Sequence, residues 1–123
     1  MIQILSVKDK AQKFEICNKA GINYSEKLHI VAVYEQEDVI EQGAIFTYEN
    51  TLGQILWLDM GKDIDLAEGL GKAILSIMEY RGVETVTLPL GYDDLAQKLR
   101  FKKGSDTFEV SLKGYFCCNC QHK

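Results

Sequence analysis

The strongest constraint on the fold is a change of apolar periodicity in the middle of the chain. QILWLDM, at residues 54–60, is rich in the apolar and aromatic residues that buried strands favour. Apolar residues then recur at helical spacing from Leu66 to Tyr80, and Gly82 ends this pattern. VETVTLPL, at residues 83–90, is again typical of a strand. A strand, a helix and a strand with a short return predict a right-handed parallel crossover unit.

The rest of the chain supplies further strands and two short helices. The same criteria predict strands at residues 1–7, 28–35, 39–48 and 107–116, and helices at residues 8–22 and 92–101. Tight turns join the strands between residues 28 and 60 into an antiparallel meander, with a bulge at Gly43. Gly21 is expected to end the first helix. These elements predict an α/β (α+β) fold, in which helices flank a mixed twisted sheet with an antiparallel meander and a parallel strand–helix–strand unit.

Length and charge narrow the classes of function. The 123 residues contain one proline and no low-complexity stretch, which suits a single domain. The formal net charge of −4 counts against nucleic-acid binding, which usually needs a basic face. The sequence has no run of about 18 apolar residues and no recognisable signal peptide. We therefore expect a cytoplasmic protein without nucleic-acid or membrane partners.

The stretch DIDLAEGLGKAIL, at residues 63–75, places Gly69 and Gly71 at the start of the predicted helix. Each glycine inside a helix costs about 1 kcal/mol relative to alanine, so the pair is expected to have a purpose. Leu66 excludes a Walker loop and Ile74 excludes the dinucleotide fingerprint, because both motifs need glycine at those positions. The remaining ligand motif is a cradle of main-chain N–H groups that binds a diphosphate at the helix start. Close helix–strand packing is the alternative reason for one of the glycines.

Two segments resemble the GCN5-related N-acetyltransferase (GNAT) family. LAEGLGKAIL, which begins at Leu66, resembles the family's acetyl-CoA signature, Gln/Arg-x-x-Gly-x-Gly/Ala. LAQKLRFKK, at residues 95–103, resembles the FYEKLGFKK-type segment near the family's carboxyl end. The resemblance covers roughly residues 28–112. The chain is identified as a short, divergent member, with one domain at residues 1–116 and a cysteine-rich tail at residues 117–123.

The resemblance implies an acyl-CoA N-acyltransferase-like fold and transfer of an acetyl group from acetyl-CoA to a small-molecule or peptide amine. The strand at 54–60 would splay away from the strand at 83–90, and the cleft between them would hold acetyl-CoA. The main-chain amide of Asp59 or Met60 would polarise the thioester carbonyl. The diphosphate would be bound by the main-chain amides of Ala67, Glu68, Gly69, Leu70, Gly71 and Lys72.

Three departures from the family pattern favour an alternative, a catalytically inactive relative that binds a ligand or a partner through the same cleft. Leu66 replaces the Gln or Arg of the signature, and Ala96 stands where the family often has a tyrosine that protonates the leaving thiolate. The helix start is acidic at Asp63, Asp65 and Glu68, and Asp65 as N-cap with Glu68 suits a capping box. Unit charges about 4 Å apart interact by about 1 kcal/mol in water and about 4 kcal/mol at an effective dielectric of about 20, so these carboxylates oppose a diphosphate.

Asp59 and Tyr92 are the candidate catalytic residues. Strand alternation places Ile55, Trp57 and Asp59 on one face, where partial burial beside the indole would suit a general base acting on an amine. A solvated carboxylate at the strand end, or a capping residue, is the alternative interpretation of Asp59. Tyr92, just before the helix at 92–101, is the candidate acid that replaces the missing tyrosine, with simple packing as the alternative.

Three other groups of residues have weaker interpretations. The basic residues Lys98, Arg100, Lys102 and Lys103 suit either the 3′-phosphate of CoA or an ordinary charged helix end. No metal site is predicted, because the tail residues Cys117, Cys118, Cys120 and His122 lie within six positions and would strain tetrahedral ligation. His29, in an apolar strand, is expected in the core or at its edge rather than acting as a base. An exposed edge of the meander is compatible with a homodimer.

Overall fold

The residues that the structure describes form a seven-stranded sheet with helices on both faces. A computed structural model describes residues 3–36, 39–61 and 64–116. The helices are α1 (Lys10–Ala20), α2 (Ile64–Tyr80) and α3 (Asp93–Lys98). The strands are β1 (Gln3–Ser6), β2 (His29–Gln36), β3 (Val39–Glu49), β4 (Leu52–Leu58), β5 (Thr85–Pro89), β6 (Lys102–Lys103) and β7 (Thr107–Ser111).

The strand order is β1-β2-β3-β4-β5-β7-β6. β2, β3 and β4 form the predicted antiparallel meander, and β4 pairs with β5 in parallel through the crossover helix α2. All other pairings in the described sheet are antiparallel. The predicted fold class is therefore confirmed. The two-residue strand β6 was not predicted, because a pair of lysines carries no strand signal.

Local signals fix the ends of α1. The N-cap of α1 is Asp9, whose carboxylate accepts hydrogen bonds from the N–H groups of Ala11 at 2.8 Å and Gln12 at 3.4 Å. Gly21 ends the helix in the left-handed conformation, with φ of 73°, and its N–H donates to the carbonyl of Asn18 at 3.1 Å. The predicted stop at Gly21 is confirmed.

The apolar residues form one core layer on each face of the sheet. The larger layer lies under α2 and α3, and the fully buried α2 side chains that enter it are Ala67, Leu70, Ile74, Leu75 and Met78. The smaller layer lies under α1 and contains Ile16 and Cys17. Burial raises the pKa of the Cys17 thiol, so this cysteine behaves as a small apolar residue.

Gly43 is not at a bulge, as the sequence had suggested. It pairs in register with Ala32, and a Cβ at Gly43 would lie 3.2 Å from Cδ1 of Ile16. The register of β3 shifts elsewhere. Against β2 it shifts beyond Gln42, and against β4 it shifts where Ile45 pairs with Trp57 and Phe46 pairs with Ile55. The glycine is needed because α1 packs closely on this part of the sheet, which no local pattern reveals.

The bulge at Leu56 corrects the predicted faces of β4. Ile55 and Leu58 pack in the layer under α2, whereas Leu56 and Trp57 pack against the layer under α1. The prediction that Ile55 shares a face with Trp57 is therefore wrong, because the extra residue shifts the alternation by one position.

Within the described residues, no helix is long and apolar enough to cross a membrane. The same part of the chain contains no group of three or more His, Cys, Asp or Glu side chains arranged to hold a metal ion. The tail with Cys117, Cys118, Cys120 and His122 lies outside the described residues, as does Asp63.

Candidate active site

β4 and β5 separate before either strand ends. Their parallel pairing covers only Leu52–Gln54 against Thr85–Thr87, whereas β4 continues to Leu58 and β5 to Pro89. Beyond the last pair, the carboxyl ends of the two strands are not hydrogen-bonded to each other, and we call this gap in the sheet the opening. In open α/β sheets such carboxyl ends are where ligands bind. The predicted splay between these strands is therefore present, and it begins after Gln54.

A hydrogen bond from Leu58 to Tyr92 crosses the opening. The main-chain N–H of Leu58 donates to the hydroxyl oxygen of Tyr92 over 3.1 Å. Tyr92 is the N-cap residue of α3, but its side chain makes no capping bond and extends to β4 instead. The hydroxyl therefore satisfies an amide that the diverging β5 does not reach. This places Tyr92 at the opening, while its role as an acid stays a prediction.

The main chain of Asp59 faces away from the opening. Its N–H donates to the carbonyl of Gly43 on β3 at 2.8 Å. Successive amides of a strand point to opposite neighbours, so the amide of Leu58 faces β5 and the amide of Asp59 faces β3. The prediction that the Asp59 amide polarises a thioester carbonyl is therefore wrong. Met60 follows it and packs partly buried against the larger core layer.

The Asp59 carboxylate is held on the α1 side of the sheet. One oxygen accepts a hydrogen bond from Lys19 Nζ on α1 at 2.8 Å, and the other accepts from the Gly61 N–H at 2.9 Å. The side chain of Asp59 is 15% exposed, whereas that of Lys19 is 62% exposed. The predicted side shared with Trp57 is consistent with this contact. The carboxylate is a partner in an ion pair rather than a freely solvated strand end.

Gln42 and Lys19 are site residues that sequence reasoning missed. Gln42 is a buried polar residue, 5% exposed, and its amide nitrogen donates to the Asp59 carbonyl at 2.9 Å. Gly61 has a φ of +57°, and a Cβ there would lie 2.6 Å from the amide carbon of Gln42. These contacts of Gln42 hold the turn after β4 in place. Gln42 and Lys19 lie 17 and 40 positions from Asp59, so no local pattern links them to it.

The helix α2 begins earlier than its glycines suggest. It starts at Ile64, so within the described helix only the amides of residues 64–66 lack helical acceptors. The amides of Gly69, Leu70, Gly71 and Lys72 lie in the following turn and bond to carbonyls four residues before them. The prediction that Gly69 and Gly71 stand at the helix start is wrong. Asp65 lies in the first turn of the helix and is not its N-cap.

Gly71 serves the packing of α2 against the end of α3. A Cβ at Gly71 would collide with Cδ1 of Leu99, a side chain that is fully buried. A Cβ at Gly69 would lie 3.1 Å from Cδ1 of Ile4 on β1. Close packing, the alternative that the sequence left open, therefore accounts for Gly71. It acts between two helices rather than between a helix and a strand.

The charged groups on α2 pair with each other. Glu68 and Lys72 form an ion pair over 3.1 Å, at the i,i+4 spacing of neighbouring helix turns. The Glu68 side chain is 24% exposed and that of Lys72 is 55% exposed. The Lys72 ammonium is thus directed to a carboxylate of its own helix. This arrangement differs from the capping box that was predicted for Asp65 and Glu68.

Arg100 is tied to the C-terminal segment rather than to a basic cluster. Its guanidinium lies 4.2 Å from the centroid of the Tyr115 ring and donates to the Tyr115 carbonyl at 3.2 Å. The Tyr115 hydroxyl in turn donates to the Leu99 carbonyl at 2.7 Å. Arg100 has a φ of 64°, the left-handed region that favours glycine. These contacts stabilise that conformation and favour a structural role over contact with a 3′-phosphate.

His29 is the first residue of β2, and the strand register places it level with Phe46 of β3 and Ile55 of β4. Its ring stacks on Tyr48 at 4.9 Å and on Phe46 at 5.4 Å between centroids. Burial lowers the pKa of His29, and the charges of Arg81 and Lys13 lower it further. The His29 side chain is exposed beside these rings, so it lies at the predicted edge of the core and not inside it.

The fold is that of the GNAT acetyltransferases. The chain is similar to the ribosomal-protein-S18-alanine N-acetyltransferase from Escherichia coli, with 14% identity, a TM-score of 0.71 and coverage of 91% of this chain and 94% of that one. It is similar to the spermidine/spermine N-acetyltransferase SpeG from Vibrio cholerae, with 8% identity, a TM-score of 0.67 and coverage of 95% and 98%. Tetrahymena GCN5 gives 8% identity, a TM-score of 0.66 and coverage of 89% and 96%. No family model and no curated protein matches the sequence.

Proposed function

We propose that the protein is an N-acyltransferase that takes an acyl group from a thioester bound between β4 and β5, with acetyl-CoA as the expected donor. The observation that carries this proposal is the separation of the two strands beyond Gln54 and Thr87, with the Leu58 amide and the Tyr92 hydroxyl inside the opening. The fold supports it, because the similar solved structures are named as acetyltransferases.

Leu58 and Tyr92 would act on the donor. The Leu58 N–H points into the opening, where it would donate a hydrogen bond to an acyl carbonyl oxygen and stabilise negative charge that develops there. The Tyr92 hydroxyl would give its proton to the departing sulfur. A donor in the opening would replace the present bond between the two groups. Thioester binding is therefore expected to free the hydroxyl for this second task.

Asp59 would act on the acceptor. Its carboxylate lies one residue after Leu58 and would accept the proton that an attacking ammonium must lose. The ammonium of Lys19 occupies this carboxylate at 2.8 Å, which indicates that a primary amine fits beside it. The acceptor that we propose is a primary amine of a small molecule or a peptide.

The fit of acetyl-CoA is uneven along its length. The opening suits the thioester end, and Met60, partly buried just beyond β4, stays a candidate contact. A diphosphate does not fit at Gly69–Lys72, because those amides lie inside the helix and Leu99 covers Gly71. All six predicted cradle residues, Ala67–Lys72, lie at or beyond the fourth helical position, where the amides bond to carbonyls within the helix.

A non-catalytic protein with the same fold is the second candidate. It is favoured by a specific observation: both predicted catalytic side chains are already bonded within the chain, Tyr92 to the Leu58 amide and Asp59 to Lys19. In that case the opening would bind a ligand or partner without acyl transfer. A single domain over residues 1–116, a cytoplasmic location and a homodimer stay predictions for either candidate.

Two measurements on the full chain separate these candidates. Acetyl-CoA at millimolar concentration is expected to raise the Tm, because a ligand of the native state stabilises it. Release of the free CoA thiol in the presence of primary amines would then identify the enzyme. A Tm shift without thiol release, over a broad panel of amines, would favour the non-catalytic candidate. An unchanged Tm would remove the enzyme proposal.

A further inference from the structure

The two halves of the proposed donor site differ in how open they are to a ligand. The opening between β4 and β5 leaves the end of β4, from Ile55 to Leu58, without pairing to β5. The second turn of α2 offers no comparable space. A donor molecule that spans both regions would therefore gain its contacts unequally along its length.

Three features close the second turn of α2 to a diphosphate. The amides of Gly69–Lys72 already have acceptors inside the helix. The space that a side chain at Gly71 would occupy is filled by Leu99, which is fully buried. The nearby Glu68 carboxylate carries the same sign of charge as a diphosphate and holds the Lys72 ammonium at 3.1 Å. Each feature removes one contribution that a phosphate site at a helix normally uses.

We infer that the protein recognises its donor through the acyl-pantetheine arm, and that the nucleotide diphosphate contributes little to affinity. The inference rests on the proposed function and names the substrate class more closely: thioesters of pantetheine, with or without an attached nucleotide. A pantetheine arm is narrow and carries amide groups. It can therefore lie along the unpaired edge of β4, which places the acyl carbonyl oxygen to accept the hydrogen bond that the Leu58 amide now gives to Tyr92.

Isothermal titration calorimetry with three probes tests this inference on the full chain. The probes are acetyl-CoA, S-acetylpantetheine, which lacks the nucleotide, and ADP, which supplies the diphosphate and nucleoside alone. We expect the Kd values of the two thioesters to agree within about threefold and ADP to give no binding heat at millimolar concentration. Acetyl-CoA binding more than about tenfold tighter than S-acetylpantetheine, a difference of about 1.4 kcal/mol, would overturn the inference. Saturable binding of ADP would overturn it as well.

A charge variant distinguishes amides that are inaccessible to a diphosphate from accessible amides beside a carboxylate that repels it. Glu68→Gln removes the carboxylate beside the second turn, and Glu79→Gln is the matched control at the exposed end of the same helix. If the amides of Gly69–Lys72 are inaccessible to a diphosphate, Glu68→Gln changes the ratio of the two thioester Kd values by less than about twofold, as does the control. A selective gain of tenfold or more for acetyl-CoA would mean that the cradle is open, and the inference fails.

The proposed function fails in a different way. If neither acetyl-CoA nor S-acetylpantetheine binds at millimolar concentration, the opening takes no thioester, and both proposals are overturned together. If both thioesters bind and acetyl-CoA binds much more tightly, only the inference about the nucleotide is lost.

Discussion

The end of β4 and the second turn of α2 were predicted to form one site, but the first is unpaired with β5 whereas the second is closely packed. At the end of β4, the strands separate and the Leu58 amide meets the hydroxyl of Tyr92. On α2, the main-chain amides of the second turn form helical hydrogen bonds, and Leu99 packs against Gly71. The difference teaches that a glycine in a helix is evidence of close approach, and that only the neighbouring atoms say what approaches. Four predictions test this comparison, beginning with the largest expected effect.

Removing the hydroxyl of Tyr92 is expected to have the largest effect. Tyr92→Phe should lower kcat/KM for thiol release by about 100-fold or more, the usual contribution of a positioned general acid. Tyr80→Phe is the control, because Tyr80 is 88% exposed and far along α2. Steady-state kinetics on both variants, with circular dichroism to confirm folding, gives the answer. Full activity of a folded Tyr92→Phe variant would show that the opening is not a catalytic site.

A double-mutant cycle tests the closed packing at Gly71. Leu99→Ala should lower the free energy of unfolding by about 2–5 kcal/mol, the usual cost of truncating a buried leucine. Gly71→Ala alone should be destabilising by about 1–2 kcal/mol, because its Cβ meets Leu99. In the Leu99→Ala background the same change should be stabilising by about 1 kcal/mol, since alanine is the better helix former.

Urea unfolding measures all four members of that cycle, and Gly69→Ala is the matched control. A Cβ at Gly69 would lie 3.1 Å from a single side-chain atom of Ile4, so we expect a change within about 1 kcal/mol. Independent, additive effects of Gly71→Ala and Leu99→Ala would mean that the two residues do not pack on each other, and the comparison would lose its second half.

The two ion pairs offer a finer comparison of the same regions. Lys19→Gln frees the Asp59 carboxylate, so we expect thiol release to rise by a few fold at neutral pH. Lys72→Gln removes the ion-pair partner of Glu68 on the second turn of α2 and should leave the rate of thiol release unchanged. Both lysine side chains are more than half exposed, at 62% and 55%, so neither change should alter stability by more than about 1 kcal/mol. Equal kinetic effects of the two variants would contradict the separation of the regions.

A pH effect that depends on His29 is expected to be the smallest. The pKa of His29 is lowered in the folded state, chiefly by burial, so the unfolded state binds a proton more readily. Stability should be complete above the ordinary histidine pKa of about 6.5 and should decline as pH falls from there toward the folded pKa. His29→Gln should flatten the Tm profile between about pH 7.5 and 5, whereas His122→Gln should not. A wild-type profile that is already flat would refute this prediction.

Much of the fold could be predicted from the sequence because the signals were local. The apolar spacing of α2, the cap residues Asp9 and Gly21, and the β-branched runs of the meander each act within a few positions of themselves. The candidate site was predicted only in part. Asp59 and Tyr92 were found because they end a strand and precede a helix, but their partners were not. Lys19 and Gln42 lie 40 and 17 positions from Asp59, and nothing in their own neighbourhood marks them.

By itself, the sequence determined the order of helices and strands and the parallel crossover, and the resemblance of two segments to the GNAT family implied the particular fold. Periodicity, caps and turns are sufficient for the order of helices and strands, since each depends on residues that are adjacent or one turn apart. Only the tertiary structure decided that Gly71 faces Leu99, that a bulge at Leu56 separates the faces of Ile55 and Trp57, and that Tyr92 reaches across to Leu58. These contacts join segments far apart in the chain, and their geometry is set by how the core closes around all of them at once.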